Sequence, residues 1–119
     1  MNHLVEIRER FLREENSMKL GHLASDLTRI ASLTEMKAGG KVLKSVLEEA
    51  KYFAEWAATA PGVVLETQMF LADIQGFIAR KELEWEWGLD KQEWKEDFRH
   101  RTQIWSQELL ERAGFLTSR

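Results

Sequence analysis

The chain has 119 residues, 44% of them apolar and 31% charged, with a single proline, which suits one globular core and excludes disordered, collagenous and membrane-embedded classes. It has no cysteine, so disulfides, thiolate metal sites and cysteine nucleophiles are excluded too. The net charge of −3 is unevenly spread: residues 1–44 hold eight Lys/Arg against six Asp/Glu, 45–97 five against twelve, and 98–119 four against two.

Residues 3–15 form the first predicted helix, an amphipathic arm carrying Leu4, Ile7 and Phe11 on one side. That stripe does not continue into the next segment. Leu20, Leu23, Leu27 and Ile30 lie on a face rotated by roughly 150° at about 100° per residue, so a break is expected at Asn16-Ser17 and a second helix over 17–36. The third helix, 41–60, places Val42, Leu43, Val46, Leu47, Ala50, Phe53, Ala54 and Ala57 on one side, and Pro61 ends it near Thr59 or Ala60.

Segment 63–87 has two apolar stripes, Leu65, Met69, Ala72, Ala79, Leu83 and Trp87 on one side and Phe70, Leu71, Ile74, Phe77, Ile78 and Trp85 on another. Glu66, Asp73, Arg80 and Glu84 form one polar seam between them, and Gln68, Gln75, Glu82 and Glu86 form the other. A helix apolar on two sides has to be covered on two sides. Gly76 costs roughly 1 kcal/mol against alanine in a helix interior, which a closely passing backbone would explain. Segment 90–113 opens with Asp90 and Glu93 in capping-box spacing, carries the stripe Trp94, Phe98, Thr102, Trp105 and Leu109, and ends before Gly114, which suits a left-handed cap.

The expected fold is all-α: an antiparallel four-helix bundle over 17–113 with an additional N-terminal helix at 3–15, in one domain spanning 1–119. The charged opening, with Glu6, Arg8, Glu9 and Arg10 and no apolar run, predicts no secretory signal and a cytoplasmic protein. The longest uncharged stretch, Trp56 to Leu65, falls far short of the roughly twenty residues a membrane span needs. A pI near 5.7 and no basic cluster denser than Arg99-His100-Arg101 argue against nucleic acid as a partner.

Signatures of chemistry are scarce. No G-x-S-x-G elbow, phosphate-binding glycine loop or H-E-x-x-H occurs, and Gly39-Gly40-Lys41 reads as a helix connection. Glu93, Glu96, Asp97 and His100 share one helical side, but His100 projects away from the Trp94/Phe98/Trp105 stripe, which makes this a solvated acidic face. His22 likewise points away from the Leu20/Leu23/Leu27 face. No catalytic residue, metal site or cofactor is therefore expected.

Of the five tryptophans, Trp94 and Trp105 follow a core stripe, while Trp85 and Trp87 cannot share one helix face, so at least one belongs at an edge. The stretches Leu20-Gly21-His22-Leu23-Ala24-Ser25-Asp26-Leu27-Thr28-Arg29-Ile30 and Trp105-Ser106-Gln107-Glu108-Leu109-Leu110, with Gly114-Phe115, resemble small uncharacterised helical proteins of cyanobacteria. The resemblance implies a cytoplasmic helical protein and no activity.

The sequence thus points to a non-enzymatic interaction or assembly module that forms a homodimer, with Leu4, Ile7, Phe11, Phe70, Ile74, Phe77 and Trp85 as its contact surface. The alternative is a bundle that holds a small molecule in a tryptophan-lined pocket, with Asp73 and Arg80 as its polar anchor.

Overall fold

The computed structural model describes residues 3–35 and 40–114. It is all-helical, with no strand among those residues: α1 (His3–Arg13), α2 (Asn16–Leu33), α3 (Gly40–Ala58), α4 (Leu65–Leu83), α5 (Trp85–Gly88) and α6 (Gln92–Ala113). The expected break before α2 is present, and Asn16 has a longer-range use than capping. Its side-chain amide donates to the carbonyl oxygen of Pro61 at 2.9 Å, which ties the start of α2 to the turn after α3. Gly62 in that turn has φ +85, a conformation that favours glycine.

Three points correct the sequence reading. The helix expected over 63–87 is interrupted at Glu84, whose carboxylate accepts from the Trp94 indole Nε1 at 2.9 Å; α5 follows as a single turn. The capping box at Asp90 is not formed, because α6 starts later, after Lys91, and no side chain caps it. The apolar side of the arm, expected to meet a second copy, packs on the chain's own core instead. Gly114 does adopt the left-handed cap, at φ +85. The second helix, expected to run to residue 36, ends at Leu33 with Thr34 as its cap, and the tail after Gly114 lies outside the described residues.

Helix α2 packs against both α6 and α3, and α3 packs against α4, an arrangement compatible with a bundle. Leu23, Leu27, Ile30, Leu47, Ala50, Ala54, Leu71, Ile74, Ile78, Phe98 and Leu109 are almost wholly buried in one cluster. Between α2 and α6 the side chains are small enough for polar ties. The Ser106 hydroxyl donates to the Ala24 carbonyl at 2.9 Å and lies 2.7 Å from the Thr28 hydroxyl. Aromatic edges bridge α4 and α6, with Phe77 set perpendicular to Trp105 at 5.1 Å between ring centres and to Phe98 at 5.8 Å.

Helix α1 is held to the bundle through Phe11, with Leu4 and Ile7 packed beside it. Phe11 is buried and stacks on Phe53 of α3 at 4.4 Å, and Trp56 closes the same cluster. Gly88 is required for a different packing reason: a Cβ there would collide with the Trp94 indole.

Candidate functional site

The structure places the expected contact surface inside the chain's own packing. Phe11, Ile74 and Phe77 are core residues, and Leu4, Ile7, Phe70 and Trp85 are partly buried against that core. Phe70, Ile74 and Phe77 face inward because they carry the larger apolar area of the two stripes on α4, and burial favours the face with more area to remove from water.

The opposite stripe is the one left outside. Leu65, Met69 and Leu83 are 70%, 61% and 89% exposed, Val64 and Trp87 extend the patch at its two ends, and Ala72 and Gly76 are exposed between them. Nothing among the described residues lies within 4 Å of a Cβ built on Gly76, so none of them accounts for the glycine. Residues 65, 69, 72, 76, 79 and 83 are separated by alternating steps of four and three. That is the a/d pattern of a coiled-coil seam. At 1.5 Å per residue the seam is about 27 Å long. One flank carries Glu66, Asp73 and Arg80 and the other Gln68, Gln75 and Glu82, the e and g positions of the same heptads. Glu66, Asp73 and Arg80 are all exposed, which removes Asp73 and Arg80 as anchors of an internal pocket.

A polar concavity with a buried carboxyl group lies elsewhere, between α1, α2 and α3. Asp26, on the edge of the Leu23/Leu27/Ile30 face, is turned into it, and its side chain is only 4% exposed. Its Oδ1 is 3.5 Å from the Arg29 guanidinium, while its Oδ2 has no hydrogen-bond partner among the described residues. Burial, reinforced by the negative charge of nearby Glu49, pushes the Asp26 carboxyl up to about 8; Arg29 opposes this shift without cancelling it.

His22, expected in solvent, forms part of this groove's wall. It lies 3.6 Å from the Glu14 carboxylate, and its ring is tilted against Phe11 at 6.3 Å and Phe53 at 6.5 Å. Asp26 itself was readable as a charged residue bordering an apolar face. Its pairing with Glu49 was not, because that depends on how two helices meet.

A second polar device holds α4 to α6. Lys81 is buried, with its ammonium 3.1 Å from Asp97, 3.4 Å from the Trp94 carbonyl that accepts from it, and 4.7 Å from the centre of the Trp94 ring. These partners account for the charge of Lys81 structurally. Among the described residues no group of three or more His, Asp or Glu side chains is placed to hold a metal ion, and no helix is long and apolar enough to cross a membrane. No protein-family profile, curated protein or solved structure matches the chain.

Proposed function

We propose that the protein is a non-enzymatic helical assembly module, an antiparallel four-helix bundle of α2, α3, α4 and α6 with α1 against it, that works in the cytoplasm as a homodimer. The observation that carries this reading is the exposed heptad seam on α4. It has the periodicity of a helix meeting another helix and no partner within the described chain. A second copy is the favoured partner because the seam complements itself when two copies run antiparallel. Ala72 then meets the partner's Gly76, Met69 meets the partner's Ala79, and Leu65 meets the partner's Leu83, so small residues meet at the centre, where the two helices would approach most closely.

In the same register Glu66 faces the partner's Arg80 on one flank, and Gln68 faces the partner's Glu82 on the other. A parallel pairing would put Gly76 against itself and would bring no opposite charges together along the flanks. The antiparallel register carries one cost: Asp73 approaches its own copy near the two-fold axis.

Sedimentation equilibrium from about 1 to 100 µM, the range appropriate to a small interface, tests the reading. Dimerisation is expected for the native chain and loss of it for Met69→Glu. Arg80→Glu should weaken association, and Glu66→Lys added to Arg80→Glu should recover it. A native chain that stays monomeric throughout this range overturns the proposal.

A further inference from the structure

The groove between α1, α2 and α3 contains an anomaly that bundle stability does not explain. Asp26 is a buried carboxyl group whose Oδ2 has no hydrogen-bond partner among the described residues, and a buried polar atom left unsatisfied is costly. Replacing Asp26 by an apolar residue would suit the Leu23/Leu27/Ile30 face better. The carboxylate opens instead into a concavity of about 420 Å³, at the low end of the range for small-molecule sites.

The lining is arranged by chemical type. Phe11, Phe53 and Ile7 supply an apolar wall; Asp26 and Glu49 supply two carboxyl groups; and Arg10 and Arg29, both exposed, supply positive charge at the mouth. We propose that this groove binds a small zwitterion, a free α-amino acid with an apolar side chain or a close analogue. The ammonium would be held between Asp26 and Glu49, the carboxylate by Arg10 and Arg29, and the side chain against Phe11 and Phe53.

Each part of that ligand answers a feature already described. An ammonium has three donors, so it can satisfy the orphaned Oδ2 of Asp26 and still reach Glu49. A simple cation would not account for the two arginines, and a simple anion would not account for the two carboxyls. Other titratable groups border the site as well: Glu14 and His3 from α1 and His22 from α2, with His22 lying 3.6 Å from the Glu14 carboxylate. Because the Asp26 carboxyl holds its proton at neutral pH, entry of an ammonium displaces that proton to the buffer. Nothing from α4 lines the groove, so this proposal and the self-association reading stand or fall separately.

Isothermal titration calorimetry of the full chain at pH 7 tests it with L-phenylalanine, phenethylamine and N-acetyl-L-phenylalanine. L-Phenylalanine is expected to bind. Phenethylamine, which lacks the carboxylate, and N-acetyl-L-phenylalanine, which lacks the ammonium, should each bind at least tenfold more weakly. The heat measured for L-phenylalanine should differ between phosphate and Tris buffers, as proton release requires.

Asp26→Asn should abolish the buffer dependence and cost tenfold or more in affinity. Arg29→Gln should erase the preference for L-phenylalanine over phenethylamine while leaving proton release intact. Failure of L-phenylalanine to bind, or equal binding of the N-acetyl compound, overturns the proposal; dimerisation measured on the same sample reports independently on the α4 seam.

Discussion

The ammonium of Lys81 on α4 lies 3.1 Å from the carboxylate of Asp97 on α6, and it gets there through a wall of aromatic rings from Phe77, Trp94 and Phe98. The two ends of this pair differ in environment. The lysine is buried and Asp97 is half exposed, so the stem packing and ring contacts of Lys81 matter more than the ion pair. Lys81→Ala is expected to lower unfolding free energy by about 2 kcal/mol and Asp97→Asn by less than about 1 kcal/mol, read from urea denaturation midpoints.

Two glycines should respond in opposite directions to the same methyl group. At Gly88 a Cβ meets the Trp94 indole, and overpacking of this kind costs about 1 to 3 kcal/mol. At Gly76 the Cβ meets nothing, so Gly76→Ala should gain about 1 kcal/mol in helix stability. Thermal unfolding of the two variants at a concentration where the protein is monomeric checks the contrast.

Asp26 makes stability depend on pH in an unusual direction. Its folded value of about 8 lies above the ordinary 3.8, so between these two values the folded chain holds a proton that the unfolded chain has lost. Stability therefore falls as pH rises from about 4 to about 8, by up to about 1.4 kcal/mol per pH unit for one proton. Asp26→Asn should flatten this slope and leave the protein more stable than the native chain at pH 8, as urea titrations at a series of pH values would show.

Phe11 is the residue by which α1 is most firmly held, and a Phe→Ala change in a core costs about 3 to 5 kcal/mol. Because α1 meets chiefly α3, that loss is expected to undock the arm and leave the remaining helices folded. Limited proteolysis of Phe11→Ala should cut early near residues 13–16 and spare a fragment containing α2 to α6. Global unfolding at the first cut would show that the arm is integral to the fold.

Much of this architecture was legible in the amino-acid order. Apolar spacing of three and four marks helices whatever they pack against, Pro61 cannot continue one, and Gly114 suits the left-handed cap it occupies. The break before α2 was visible because two apolar faces were out of phase across Asn16 and Ser17. The two-sidedness of α4 was also visible, but periodicity reports that a face is apolar and not what covers it.

Which stripe of α4 turned inward was decided by tertiary packing. α3 and α6 received the rings of Phe70 and Phe77 with the branched side chains between them, and the seam of Leu65, Met69, Ala72, Gly76 and Leu83 was left outside. The meeting of Asp26 with Glu49 under α1 belongs to the same category. Helical order along a chain is a local property of backbone and side-chain spacing, whereas the pairing of residues from different helices exists only once those helices have been brought together.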